Sequence, residues 1–364
     1  MKPRVIALYL PQYYPFKEND EWWGKGFTEW TNVGRAVPLF KGHYQPRVPK
    51  DLGYYDLRLS TVREQQAQLA REAGIEGFCY WHYWFGNGKR LMETIFNEVL
   101  ESGRPDFPFC LGWANHSWYA KNWNTMDTSG KDKLLIEQTY PGENDIRTHY
   151  ELVLKAFKDP RYIKEENKPI FMIFDTSTLP PNFISLWNKW AKEDGFSGVF
   201  FIGNMKQKDT SDPKEYVKLG YNAVIRQRLT TAIFKQNRNK FSLILKKILS
   251  HSFGKAEQRI SYKKASNFFI DVTEDSNENM IPVIIPNYDH SPRSGQYGVI
   301  LTNSTPDLFY KHCKKAINLV KNKKNKIIIL RSWNEWGEGN YMEPDTKYGH
   351  GYIDALKKAI DESI

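Results

Sequence analysis

Eight short apolar runs, rich in β-branched and aromatic residues, recur along the chain at residues 5–10, 77–81, 107–113, 169–174, 199–202, 223–225, 282–285 and 327–330. Most are separated by stretches with helical periodicity. Residues 60–73, for example, place Val62, Leu69 and Ala73 on one side and charge on the other, and stop at Gly74. Continuous apolar strands that alternate with amphipathic helices predict a parallel sheet covered on both faces, and eight of them predict an α/β fold of the (β/α)8 barrel type. The whole chain, 1–364, reads as a single catalytic domain with two departures from a plain barrel. Residues 15–55 come after strand one with little periodicity and many aromatics, which predicts a long ordered loop over the barrel mouth. Residues 227–280 form a basic, amphipathic insertion between strands six and seven.

The residues at the end of each run carry the chemistry. Strand one, which holds Tyr9, leads into Gln12, and strand two into His82, Tyr83 and Trp84. Strand three ends in Trp113, Asn115 and His116, strand four in Asp175, strand five in Asn204, and strand six in Arg226 and Gln227. Strand seven leads into Asn287 and Asp289, and strand eight into Trp333, Asn334, Glu335, Trp336, Gly337, Glu338 and Gly339. In a barrel these ends meet at one face, the face that carries active sites. The loop after strand one adds Glu29, Trp30, His43 and Tyr44 as candidate substrate contacts.

Glu335 and Glu338 are the candidate catalytic pair. Acidic side chains are rarely placed behind a buried strand unless they are paired or put to use. Two carboxylates beside flat aromatic rings suit glycosidic chemistry, in which one group manages a proton and the other the anomeric side. The plain alternative is a helix N-terminus with both glutamates near the positive end of the macrodipole. Trp113 and Trp333 are expected to line the cleft floor as stacking surfaces.

Composition narrows the picture. With 12 Trp, 21 Tyr and 21 Phe, many of them set among Asn, His and Gln, the chain has the makings of a carbohydrate cleft. Three cysteines give no disulfide framework, and Cys79 and Cys110 lie in apolar runs as small core residues. The apolar run at 5–10 is too short for a secretory signal and is closed by Pro11, and no stretch of about 18 apolar residues occurs. The expected location is cytoplasmic, peripheral at the inner face of the plasma membrane. His43, His82, His116 and His290 show no metal-ligand spacing, so no metal and no cofactor are expected.

The net charge of +10 is concentrated: from Arg226 to Lys264 there are eleven basic residues and one acidic, Glu257, which accounts for all of it. No nucleic-acid reader motif accompanies this patch, which argues against nucleic acid as a partner. Phe241, Ile244, Leu245, Ile248, Leu249 and Phe253 form one apolar stripe at helical spacing, bordered by Lys240, Lys246 and Lys247. Apolar residues entering the interface and lysines above it suit an anionic membrane surface. A barrel-covering helix has the same one-sided shape.

The strands and their endings together resemble the WbsX family of bacterial surface-polysaccharide biosynthesis proteins, which is related to the endo-α-mannosidases of glycoside hydrolase family 99. The resemblance rests on Tyr9-Leu10-Pro11-Gln12, the block from Glu21 to Trp30 (EWWGKGFTEW), Gly42-His43-Tyr44-Gln45-Pro46, the block from Leu52 to Leu57 (LGYYDL), Trp113-Ala114-Asn115, and the Trp333 to Gly339 motif. It implies the same barrel. It further implies that Glu335 acts as a base on the substrate's own 2-hydroxyl and that Glu338 acts as general acid and then base, a route that retains anomeric configuration. Two positions depart from the family pattern: His116 stands where a glutamate is usual, and Tyr288-Asp289-His290-Ser291-Pro292-Arg293 replaces a Trp-Asp-Asn-Thr/Ser-Pro-Arg stretch. Both fall at strand ends, where they alter sugar choice rather than reaction type.

The leading reading is a retaining glycosyltransferase of O-antigen or capsule biosynthesis, taking a sugar donor and a glycan or lipid-linked glycan acceptor. A hydrolase or transglycosidase on an α-linked glycan is the alternative, and a catalytically silent glycan-binding protein is a third. No Asp-x-Asp pair occurs, and Gly24 and Gly26 lack the strand and third glycine of a dinucleotide fingerprint.

Overall fold

A computed structural model of the chain describes residues 2–120, 133–205, 211–236 and 258–363. The apolar runs become strands β1 (Arg4–Tyr9), β2 (Gly77–His82), β3 (Phe109–Trp113), β4 (Lys168–Ile173), β5 (Phe200–Met205), β6 (Ala223–Arg226), β7 (Met280–Ile281 with Val283–Ile284) and β8 (Ile327–Leu330). Each pairs in parallel with its sequence neighbour, and β8 pairs back onto β1, Val5 opposite Ile328, so the sheet closes into a barrel. Pro282 explains why β7 comes in two pieces. It has no N–H to give to the ladder, so Met280–Ile281 pairs with β6 and Val283–Ile284 with β8, while the Pro282 carbonyl accepts from Ile329 N at 3.1 Å. Pro108 likewise sets the start of β3 at Phe109, two residues later than the apolar run predicts.

Helices α1 (Ser60–Glu72), α2 (Glu93–Ser102), α3 (Glu143–Phe157), α4 (Phe183–Glu193), α5 (Pro213–Lys218), α6 (Leu229–Gln236), α7 (Pro306–Val320) and α8 (Gly351–Asp361) come after the eight strands in turn. Their apolar stripes bury Leu69, Phe96, Tyr150, Trp187, Phe309 and Leu356 against the sheet. The segment expected as a loop after β1 contains two short helices, Lys17–Trp23 and Glu29–Gly34. Thr28 caps the second through a reciprocal bond with Thr31, which fixes the entry of Glu29 into the site.

The basic insertion is described only in part, and residues 237–257, with the whole apolar stripe from Phe241 to Phe253, lie outside the described residues. Two of the eleven basic residues between Arg226 and Lys264 are not surface charges. Arg226 donates to Glu274 at 2.8 Å and Arg228 to Asp275 at 2.6 Å, and both arginines are buried. Charged groups inside a fold find counter-ions there, so these two are unavailable to a membrane. Downstream, Gln258–Ser261 pairs in parallel with Val299–Thr302 outside the barrel. Among the described residues no helix is long and apolar enough to cross a membrane.

Candidate active site

The eighth strand delivers the motif and the first strand pins it. Trp333 N donates to Leu8 O at 2.8 Å, and the Asn334 amide both accepts from Leu10 N at 2.8 Å and donates to Leu10 O at 3.0 Å. Asn334 therefore substitutes for a strand partner where the ladder ends. Tyr13 completes the clamp: its hydroxyl donates to Asn334 O and accepts from Trp336 N at 3.1 Å. Behind the motif, Trp336 stacks on Tyr341 with centroids 3.7 Å apart and donates its indole N–H to Glu343 at 2.6 Å. The glutamates are thus carried on a turn whose aromatic residues are locked into the core.

Three carboxylates converge on one guanidinium. Arg293 donates to Glu335 at 3.1 Å, to Glu338 at 2.8 Å and to Glu29 at 3.1 Å. Arg331, the residue after β8, donates through Nη2 to the other Glu338 oxygen at 3.2 Å and through Nη1 to the Gln227 side-chain oxygen. Gly337 makes this convergence possible: a Cβ there would lie 1.9 Å from Glu29 Oε2 and 3.0 Å from Arg293 Nε. These groups face a cleft of 720 Å³ that Glu29, Arg293, Arg331, Glu335 and Glu338 share with His290, Gln227, Gln12, Tyr83, His116 and a set of aromatic side chains.

The two glutamates differ electrostatically. Burial disfavours charge on Glu335, the neighbouring Glu338 adds repulsion, and together they push its carboxyl up to about 7 against the pull of Arg293. Burial opposes charge on Glu338 too, but Arg293, Arg331 and His290 outweigh it and hold that carboxyl down at about 2. Near neutral pH the cleft therefore holds one glutamate that readily gains or loses a proton and one fixed carboxylate.

Six of the candidate residues line this cleft: Gln12, Glu29, Tyr83, His116, Glu335 and Glu338. Others are brought together elsewhere. Asp289 is buried and accepts from His43 at 2.7 Å, Gln45 at 2.8 Å and the Ser291 hydroxyl at 2.6 Å. These bonds and the nearby Arg47 outweigh burial and hold its carboxyl down at about 2. With Tyr44 and Asn287 this cluster borders a separate pocket of 140 Å³. Asn287 bonds the Tyr341 backbone and supports the motif from below.

Several expected contacts are core residues. Trp333 and Trp113 are 0 % and 1 % exposed, so neither is the cleft floor. Trp113 gives its N–H to Trp84 O at 2.9 Å. Tyr9 is buried facing α1, where its hydroxyl donates to Gln66 at 2.7 Å. His82 pairs with His149 at 2.8 Å, with Trp84 stacked on that second imidazole. Trp30 gives its N–H to Tyr55 O at 2.7 Å and packs on Trp336. Asn115 ties the ends of β3 and β4 by bonding the Asp175 backbone in both directions, and the Asp175 side chain turns to Ser177.

Arg293 and Arg331, which hold the glutamates, are not among the residues that the sequence singles out. Arg293 belongs to the strand-seven stretch that departs from the family pattern, and Arg331 sits directly between β8 and the motif. Neither position signals which carboxylates it will meet. Trp23, Trp81, Trp118 and Tyr119 also line the cleft, beyond the contacts expected from strand ends.

Comparison with known proteins agrees with this architecture. The family described as Glycosyltransferase WbsX matches residues 5–356. A protein of Xanthomonas campestris pv. campestris named "Uncharacterized protein WxcX" is 30 % identical over 370 residues, which is 98 % of this chain and 49 % of that protein. The WxcX protein of strain B100 matches to the same extent, so the chain spans about half the length of the curated relatives it matches. Among solved structures, the GH99 endo-alpha-mannosidase from Bacteroides thetaiotaomicron with BIS-TRIS-Propane superposes with a TM-score of 0.58 at 14 % identity, covering 99 % of this chain and 97 % of the other. A structure described as a glycoside hydrolase-like protein gives a TM-score of 0.60 at 16 % identity, over 99 % and 94 %. At these identities the likeness is one of fold.

Proposed function

The chain belongs to the Glycosyltransferase WbsX family, and from that premise we propose that it is a glycan-active enzyme, a retaining glycosyltransferase of surface-polysaccharide biosynthesis using a donor whose leaving group is a phosphate. The observation that carries the reading is the double clamp on Glu338 by Arg293 and Arg331. Cleaving a glycosidic bond requires a proton for a departing sugar oxygen. A glutamate held as a carboxylate by two arginines is poorly placed to give one. A phosphate leaves as a stable anion and needs none, and the same two arginines offer it positive charge.

In this scheme Glu335 is the base. A carboxyl near 7 combines an available ionised form with a strong pull on a proton at neutral pH. Glu335 takes the proton of the donor's 2-hydroxyl while that oxygen bonds to C1 and the C1–O(phosphate) bond breaks. Glu338, still ionised, stabilises the positive charge that develops at the anomeric carbon. The acceptor hydroxyl then attacks C1 and opens the three-membered ring. Its proton leaves on the phosphate, and Glu335 returns its own proton to O2. Two inversions at C1 give net retention.

The whole chain serves as the catalytic unit in this reading, with 227–280 as its insertion, and the basic residues outside Arg226 and Arg228 hold it to an anionic membrane at the cytoplasmic face, where a lipid-linked acceptor would lie. Hydrolysis of an α-linked glycan is the second reading, favoured by the shared fold with endo-α-mannosidases. Following the anomeric proton by NMR during transfer tests the mechanism. An α-linked donor is expected to give an α-linked product, and an inverted product would refute the two-step route.

A further inference from the structure

Among the described residues Trp23 is the only exposed tryptophan, at 47 %, and Tyr119 is 52 % exposed. Every other described tryptophan is buried or half-buried. Both exposed rings line the cleft that holds Glu335 and Glu338. Large aromatic surfaces left open to water beside a polar cleft mark a binding surface rather than unfinished packing.

The two rings come from different excursions and are held from behind. Trp23 ends the helix Lys17–Trp23 and packs on Phe27 with centroids 6.0 Å apart. Tyr119 sits in the strand Trp118–Ala120, which pairs antiparallel with Lys133–Ile136. An isolated two-stranded hairpin is marginal in water. Its inner residue Trp118 supplies the anchor, meeting Tyr83 at 5.3 Å, Phe85 at 5.9 Å and Trp22 at 6.0 Å in edge-on contacts. A bulge between Trp118 and Tyr119 breaks the usual alternation, so both side chains reach the cleft.

The loops after β7 and β8 carry Arg293, Arg331, Glu335 and Glu338, whereas the loops after β1 and β3 bring Trp23, Phe27, Trp118 and Tyr119 to the cleft beside Glu29 and Arg35. We propose that the Trp23–Tyr119 rim is a subsite for the acceptor, binding sugars of a glycan chain beyond the one that reacts, so that the substrate is an oligosaccharide rather than a single sugar. Flat ring faces suit the C–H faces of pyranose rings, and the nearby Gln12, Asn32 and Ser117 can bond hydroxyls at their edges. A cleft of 720 Å³ lies in the range of about 300–1,000 Å³ that takes a ligand of several rings. This inference rests on the glycan-active reading.

An array of bacterial surface-polysaccharide fragments, one to five sugars long, tests it with the full chain. The probes are the folded wild type, Glu335→Gln, Trp23→Ala, Tyr119→Ala, the double alanine variant and Trp23→Phe, with folding checked by circular dichroism. Wild type and Glu335→Gln are expected to bind fragments of three or more sugars and not single sugars. The double alanine variant should lose about tenfold or more in affinity, a difference of 1.4 kcal/mol, and Trp23→Phe should recover most of it. Equal binding by wild type and the folded double variant overturns the subsite, as does binding of single sugars as tight as that of chains. If neither wild type nor Glu335→Gln binds any fragment, the glycan-active reading itself fails, and the subsite with it.

Discussion

At the scale of single residues, the site is governed by how one guanidinium divides its charge. Arg293 touches Glu29, Glu335 and Glu338, but only Glu338 has a second arginine. Burial raises both carboxyls; repulsion from Glu338 leaves Glu335 near 7, whereas Arg293, Arg331 and His290 hold Glu338 near 2. A base with a carboxyl near 7 is ionised only above it, so kcat/KM should rise about tenfold per pH unit below 7 and level off above. A profile that falls above pH 7 would make Glu335 an acid and favour hydrolysis. Glu335→Gln keeps shape and loses proton transfer, and turnover should drop roughly 10² to 10⁴-fold with the fold intact; full activity would remove it from catalysis. Gly337→Ala puts a methyl where Glu29 lies and should displace the Glu29–Arg293 contact. The expected result is a loss of activity of at least tenfold with an unchanged far-ultraviolet spectrum, and an unaffected enzyme would show that Glu29 does not need its place. None of this convergence is legible in the sequence, because Arg293 and Glu29 are 264 positions apart.

At the scale of elements, the strands are readable because a parallel barrel strand, buried on both faces, is written as a continuous apolar run. The glutamate pair is readable for the complementary reason, since charge directly behind such a run has no packing role. The aromatic contacts mislead because tryptophan at a strand end looks the same whether it meets a sugar or the core. Trp333 turns inward when its backbone pairs with Leu8. The exposed ring, Trp23, lies instead on a short helix that weak periodicity conceals. Trp333→Ala should therefore lose about 3–5 kcal/mol of stability; a folded variant with weakened glycan binding would return it to the cleft. The insertion is a separate matter, with 237–257 outside the described residues. Flotation with phosphatidylglycerol vesicles is expected to carry the protein at low salt, and Lys246→Glu with Lys247→Glu to abolish it. Absence of wild type from the floated fraction would sink membrane docking.

At the scale of the whole molecule, fold and chemistry share buried carboxyls. Glu343, 2 % exposed, lies beneath the motif with Trp336, Gln66 and Tyr55 as donors, and burial pushes it up to about 7 despite them. A carboxyl raised in the folded state stabilises fully below its unfolded value, and that contribution is lost as pH rises to about 7. Glu338 and Asp289, held down, act oppositely, and their contribution disappears as pH falls below about 4. Relative to wild type, Glu343→Gln should gain melting temperature between pH 5 and 8, whereas a constant difference across that window would show that Glu343 is not raised. The account as a whole turns on what leaves the anomeric carbon. Incubating the protein with nucleotide-diphosphate sugars and a glycan acceptor, and in parallel with α-linked oligosaccharides, while nucleotide release and new reducing ends are counted together, measures this directly. Nucleotide release that depends on acceptor and on Glu335, with no new reducing ends, is the predicted result; reducing ends accumulating from the oligosaccharides without nucleotide release would contradict it.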